Sequence, residues 1–180
     1  MVRCFVGVFL PDEIVKKIVE FQKRLVSLPI KAKFVETENL HISLSFLGEL
    51  DENQIENIKL KLDEISKRFQ KFEVILQGIV LIPNEKFVRV IGLEITDKKL
   101  EYLRGIIHQS IDGKTNPSHI TLCRVNSVFN EKKFIKEIHA MEFGPFIMNV
   151  DGIYLIKSVL DKRGPTYSVL YKTCLNGQKS

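Results

Sequence analysis

Residues 41–44 and 119–122 read His-Ile-Ser-Leu and His-Ile-Thr-Leu, so one pattern, His-x-(Ser/Thr)-x, occurs twice, each time inside a short apolar run. An alternating run of this kind predicts a β-strand with one covered face, because successive side chains of an extended chain point to opposite sides. In the first copy His41, Ser43 and Ser45 are expected on one face, with Ile42, Leu44 and Phe46 on the other. In the second, His119, Thr121 and Cys123 are expected to oppose Ile120 and Leu122. Each strand then buries an aliphatic side and presents an imidazole and a hydroxyl two positions apart. Two such strands facing each other make a two-histidine cleft.

The chemistry of that cleft follows from its groups. Imidazole titrates near ~6.5, so around neutral pH one histidine can accept a proton while the other, protonated, gives one up. The hydroxyls can donate hydrogen bonds to oxygens that gain charge in a transition state, such as the non-bridging oxygens of a phosphoryl group. Two imidazoles and two neutral hydroxyls are a poor ligand set for zinc or magnesium, and no metal or other cofactor is expected. A lone histidine on a strand is an ordinary structural residue; two in matching contexts are a pair with a purpose. His108 and His139 lie in helical segments without a hydroxyl two residues on, and read as structural or surface residues.

The tetrapeptides sit inside a longer repeat. Phe5 to Leu10 predicts a strand, followed by a helix from about Asp12 to Leu28 in which Ile14, Ile18, Phe21 and Leu25 keep helical spacing. The first motif strand follows. Asp51, with Gln54 three residues on, has the form of a capping box that opens a helix with Ile55, Ile58, Leu62, Ile65 and Phe69 inward. Alternation in Phe72, Val74 and Leu76 gives a further strand. The second half replays the order: a strand from Phe87 to Ile95, a helix from Asp97 carrying Leu100, Leu103, Ile107 and Ile111, and the motif strand at His119. Asn130 caps a last helix with Phe134, Ile135 and Ile138 inward, and strands from Phe146 to Lys157 and Tyr167 to Cys174, turning through Asp161 to Pro165, close the chain. The expected organisation is one bilobal domain over residues 1–180, with repeat halves at roughly 2–82 and 87–157 and a closing hairpin at 153–175.

In this order the motifs resemble the two-histidine phosphoesterases, and among them the RNA 2',3'-cyclic phosphodiesterases long labelled 2'-5' RNA ligases. The resemblance runs through Arg3 to Pro11, Asn39 to Gly48, Pro117 to Arg124, Ser158 to Leu160 and Gly164 to Tyr167. Ser43 stands where many members carry threonine, which keeps the hydroxyl. The resemblance implies an α+β fold in which two antiparallel sheets, related by a pseudo-two-fold, line a central cleft with helices packed outside. It also implies the reaction: water opens a terminal 2',3'-cyclic phosphate on RNA to leave a 2'-phosphate. His119 activates the water, His41 protonates the departing 3' oxygen, and Ser43 and Thr121 hold the non-bridging oxygens. The two histidine roles are interchangeable as far as the sequence goes. With a 5'-hydroxyl in place of water the same site would join RNA ends through a 2'-5' bond, although abundant water favours hydrolysis. RNA with a cyclic phosphate end is the implied partner, tRNA fragments included.

Arg124 lies five positions after His119, where the family has an arginine at the cleft, and its guanidinium suits a phosphate. Simple alternation puts it on the wrong face, so a bulge or strand end is required there. Arg3, Lys33 and Arg163 are further candidates for an RNA backbone, and Phe9, Phe46 or Tyr167 for a base, with Phe46 expected in the core. Two other readings stand beside the RNA enzyme: a phosphodiesterase for small cyclic nucleotides, and a non-catalytic RNA-binding module.

Composition restricts the remaining classes. The 180 residues, 44% of them hydrophobic, can fill one sizeable core. Twenty-seven Lys and Arg against 22 Asp and Glu leave a net charge of +5, which favours polyanions, though most lysines decorate solvated helix faces. No apolar run approaches the ~20 residues of a membrane span, and Pro11, Asp12 and Glu13 interrupt the N-terminal apolar stretch. A monomeric cytoplasmic protein is expected. Cys4, Cys123 and Cys174 are odd in number and lack C-x-x-C spacing, which argues against disulfides and structural zinc.

Overall fold

The structure is a computed structural model that describes residues 1–160 and 164–176. Its strands are β1 (Val2–Phe9), β2 (Ile30–Phe34), β3 (His41–Leu50), β4 (Phe72–Asn84), β5 (Phe87–Ile95), β6 (His119–Val128), β7 (Phe146–Val150), β8 (Gly152–Leu160) and β9 (Pro165–Cys174). The helices are α1 (Asp12–Leu25), α2 (Glu52–Ser66), α3 (Lys98–Ser110) and α4 (Glu131–His139). The helices follow the expected apolar stripes. Ile14, Ile18, Phe21 and Leu25 of α1 are buried, while Lys16, Glu20 and Lys23 stay outside. Asp51 and Gln54 form the capping box in full, each side chain bonding the other's backbone N–H. Asp97 and Asn130 cap α3 and α4 through their side chains.

The strands join in one antiparallel sheet of order β7-β4-β5-β6-β3-β1-β8-β9, with β2 added on β6. At its centre β3 and β6 meet through the single pair Ile42 and Ile120, and they diverge on either side. The fold is α+β, and the two antiparallel halves of the resemblance appear as two wings of a continuous, curled sheet. The wings match strand for strand about the Ile42–Ile120 pair: β3-β1-β8 on one side, β6-β5-β4 on the other. Sequence halves and wings do not coincide, however. The first half's last strand, β4, pairs with β5 and β7, and β8 returns to pair with β1.

β2 was not anticipated. Its five residues, Ile-Lys-Ala-Lys-Phe, are too short and too evenly mixed to stand out, and they become a strand because β6 offers an open edge along Cys123 to Val128. The run from Phe146 to Lys157 is split at Asp151 into β7 and β8, which lie in different wings. Of the expected closing turn, Asp161, Lys162 and Arg163 lie outside the described residues. No helix among the described residues is long and apolar enough to cross a membrane.

Candidate active site

The motif strands carry the same burial pattern over six residues, and it departs from simple alternation at the same place. From His41 and from His119 the sequence runs half-buried, buried, half-buried, buried, buried, exposed. The partner strands explain the doubling. Gly7 lies opposite Ser43 and Val6 opposite Ser45, so Leu44 is skipped; Gly92 lies opposite Thr121 and Ile91 opposite Cys123, so Leu122 is skipped. A one-residue bulge turns two consecutive side chains inward and reverses the parity beyond it. Three expectations are corrected by this. Ser45 and Cys123 do not share the histidine face but are fully buried, and Phe46 is not in the core but 43% exposed. Burial pushes the Cys123 thiol up to about 11, which leaves the sulfur protonated and inert. Arg124, on the wrong side by alternation, is brought round to the cleft.

Both bulges rest on a glycine. A Cβ on Gly7 would stand 2.7 Å from the Ile42 carbonyl oxygen, and one on Gly92 would stand 2.9 Å from that of Ile120. The partner backbones therefore approach more closely than any side chain allows. At the second bulge the displaced Leu122 carbonyl accepts from the Val35 N–H at 2.9 Å and from Nε2 of buried Gln22 at 2.9 Å. Gln22 also reaches the Val35 carbonyl at 3.0 Å, tying α1 to the strand beneath Thr121. Nothing in the apolar spacing of α1 marks Gln22 for this role.

The two histidines are held alike. His41 Nδ1 lies 2.7 Å from the Asn39 carbonyl oxygen, and His119 Nδ1 lies 2.9 Å from that of Pro117. A carbonyl can only accept, so each Nδ1 carries its proton and donates. Each neutral ring is thereby left with its lone pair on Nε2. His41 Nε2 is 2.8 Å from Ser43 Oγ, which donates to it while the ring is neutral. The His41 ring is wedged between Phe5, 4.8 Å between centroids, and the edge of Tyr167 at 5.2 Å. This burial holds the His41 pKa below the ordinary imidazole range; the Asn39 carbonyl opposes it, while the charges of His119 and Arg124 add to it. Burial likewise raises the Tyr167 hydroxyl, with Arg124 opposing and Glu36 reinforcing.

His41, Ser43, His119, Thr121 and Arg124 line one cleft of about 780 Å³. Lys33, Phe46 and Tyr167 line it too, as do Glu36, Asn39, Glu94 and Glu101, which sequence reasoning did not single out for the site. Asn39 is buried, and its side-chain amide donates to the Pro165 carbonyl at 2.8 Å, anchoring the start of β9 and hence Tyr167 beside His41. Phe9 packs edge-on against Tyr154 instead, and Arg3 lies exposed on β1 between Glu49 and Ser158; neither reaches the cleft. Arg163 lies outside the described residues. His139 bonds Glu85 at 2.8 Å on the surface, and His108 is an exposed residue of the last turn of α3. No three His, Cys, Asp or Glu side chains gather as a metal site among the described residues.

Relatives at full length decide the family. A protein of Aquifex aeolicus named RNA 2',3'-cyclic phosphodiesterase is 30% identical over 98% of this chain and 99% of its own, and one of that name from Methanocaldococcus jannaschii is 32% identical over 93% and 98%. The family model described as LigT like Phosphoesterase matches residues 8–91. This chain is a LigT-like phosphoesterase. The resemblance carried by the two motifs is thus borne out, and so is the fold it implied. TT0787 of Thermus thermophilus superposes on this phosphoesterase with a TM-score of 0.84, at 26% identity and covering 98% of this chain and 100% of that one. E. coli LigT shares the fold with a TM-score of 0.79, at 22% identity and 98% and 99% coverage. The family-model match contains His41 but ends before His119, whereas the full-length alignments extend across both wings.

Proposed function

We propose that this phosphoesterase opens the 2',3'-cyclic phosphate at the end of an RNA chain with water and leaves a 2'-phosphate. The observation that carries the reading is the matched pair of imidazoles lining one cleft, each with its Nδ1–H donated to a backbone carbonyl so that the lone pair of the neutral ring is on Nε2, where His41 meets Ser43 Oγ. His119 takes a proton from the attacking water as the new P–O bond forms. His41 gives a proton to the 3' oxygen as its bond to phosphorus breaks. A lowered pKa makes the His41 imidazolium the stronger acid toward that leaving oxygen, and the phosphate anion, once bound, offsets the burial that discourages its charge. Ser43, Thr121 and Arg124 take up the charge that grows on the non-bridging oxygens. The exposed Phe46 ring is a platform for the terminal base. The enzyme works without a metal, as a single chain in the cytoplasm. A 5'-hydroxyl admitted in place of water would give the 2'-5' joint by the same proton transfers.

The test is incubation of a short RNA ending in a 2',3'-cyclic phosphate, with the position of the product phosphate determined. A 2'-phosphate is expected. His41→Ala and His119→Ala should each lower kcat/KM by about 10²–10⁴-fold, the usual worth of one acid or base, with little change in Tm. Near-native activity in either variant overturns the two-histidine mechanism.

A further inference from the structure

Register gives the cleft two unlike arms. Ile42 and Ile120 pair in an antiparallel crossing, so the start of each motif strand lies toward the later part of the other. One arm contains Arg124, whose charge is felt at His41 and Tyr167. The other is built from Phe46 onward. Phe46 and Lys114 exchange backbone hydrogen bonds at 2.8 and 2.9 Å, residues 116–118 lead from there to His119, and Glu94 of β5 stands directly opposite His119. Phe46, Asn116 and Glu94 all line the cleft. Val90, which pairs with Arg124, is four residues from Glu94 along β5, a separation of roughly 13 Å. The carboxylate and the guanidinium therefore belong to opposite arms.

A carboxylate repels phosphate, so its presence in a cleft that takes RNA calls for a reason. Glu101, also in the cleft wall, is engaged by Arg104, whose Nε donates to it at 2.9 Å. Glu94 is exposed; its Oε1 accepts from the Thr96 hydroxyl at 3.2 Å, and it makes no ion pair among the described residues. Nor does it orient His119, whose Nδ1 donates to the Pro117 carbonyl. An ionised carboxylate has about four acceptor positions, and the Thr96 hydroxyl fills one. The arm thus combines an exposed aromatic face with an acceptor that the fold does not use up. We propose that Glu94 reads the base of the reacting nucleotide. With the ring stacked on Phe46, the carboxylate accepts from an exocyclic amino group, N4 of cytosine or N6 of adenine, and repels the carbonyl oxygen that uracil puts in the same place. The inference rests on the phosphodiesterase reading above and deepens it by naming the chemistry of the bases the site favours.

Calorimetric binding of four nucleoside 2'-phosphates, in two matched pairs, tests this without relying on turnover: cytidine against uridine, and adenosine against purine riboside, which lacks only the amino group. The ring is the same size within each pair, so the ratio of the two Kd values isolates the amino group from stacking. In the native protein the amino-bearing member should bind about tenfold tighter, the lower end for a hydrogen bond to a charged group. In Glu94→Ala, which removes the acceptor from an exposed position, the ratio should fall below twofold. Phe46→Ala should weaken all four probes and keep the ratio. A ratio seen in both pairs identifies the amino group alone as sufficient; a ratio confined to one pair identifies the ring size that the arm accepts. Either supports the proposal. It is overturned if the native protein binds the members of both pairs equally, or if Glu94→Ala keeps the full ratio. The cyclic phosphate assay judges the catalytic reading separately: a Glu94-dependent ratio with no hydrolysis would remove that reading and leave this one, and hydrolysis with no ratio would do the reverse.

Discussion

Phe46 and Arg124 occupy the same place in the two wings: each stands five residues after its histidine and faces the cleft because one residue of its strand is skipped just before it. The bulges are equivalent, and the side chains they deliver are not. One wing offers an aromatic surface and the other a fixed positive charge, and under the proposed function this difference is what would let a near-symmetric site distinguish the two ends of an asymmetric ligand.

Replacing these two residues should therefore give different kinetic signatures. Arg124→Gln should lower kcat by about 10²–10³-fold, as loss of one charge-stabilising donor does, and lysine should restore only part of it because it lacks the planar fork. Phe46→Ala should raise KM by about tenfold, in line with ~1–3 kcal/mol for a stacked base, with a smaller effect on kcat. Steady-state kinetics on one RNA end separates the two. Equal effects on kcat and KM in both variants would refute the division of labour.

The lowered pKa of His41 sets a pH dependence. The proposed acid must be protonated, so kcat/KM should fall on the alkaline side as His41 loses its proton and on the acid side as the base gains one. Because the groups are coupled, the two limbs belong to the pair. Arg124 helps to hold the His41 pKa down, after burial and His119, so Arg124→Gln should move the profile of the pair toward higher pH. Inorganic phosphate should also inhibit more strongly as pH falls, because a bound anion favours protonated His41, and His41→Gln should flatten that trend. A level profile from about pH 5 to 8, with chemistry limiting, would rule the pair out.

Gly7→Ala and Gly92→Ala test the bulges. Each new methyl group would meet a carbonyl oxygen of a motif strand, and that strand must move to admit it. Each should cost about 1–3 kcal/mol, the usual range for overpacking, and should lower activity more than an equally destabilising change on α2 far from the cleft, such as Leu62→Val. Thermal unfolding and kcat measured together decide it.

Prolonged treatment with a chelator should leave hydrolysis unchanged, because the proposed proton transfers and charge stabilisation use side chains alone. If chelation stopped the reaction and a divalent ion restored it, the acid and base roles of His41 and His119 would have to be given up.

Much of this molecule is legible in single elements of its sequence. The capping box at Asp51 and Gln54, the inward stripe of α1 and the two histidines are local patterns, and each acts within a few residues of itself. What the sequence does not display is register. Ser45 and Phe46 exchange faces because of how β3 meets β1, and Cys123 and Arg124 because of how β6 meets β5. Gly7 and Gly92 are the visible trace of both bulges, but a glycine in a strand has other uses as well. β2 is hidden for the same reason: Ile30 to Phe34 becomes a strand through the edge it finds on β6, not through an apolar pattern of its own. Asn39 and Gln22 go unseen because their partners, Pro165 and Leu122, lie 126 and 100 residues away along the chain.

The crossing of β4 and β8 into opposite wings bears on ancestry. A chain of half this length, with the order strand, helix, strand, helix, strand, could lay its last strand on its own first strand or lend it to a second copy. Two copies that traded those strands would have the arrangement of a domain-swapped dimer. Fusing such a pair end to end yields the connectivity seen here, in which β4 closes the wing of β5 and β8 closes the wing of β1. On that view the cleft began as the dyad between two identical subunits. The divergence of Phe46 from Arg124 then marks where one gene, carrying both copies, became able to treat the two sides of a nucleotide differently.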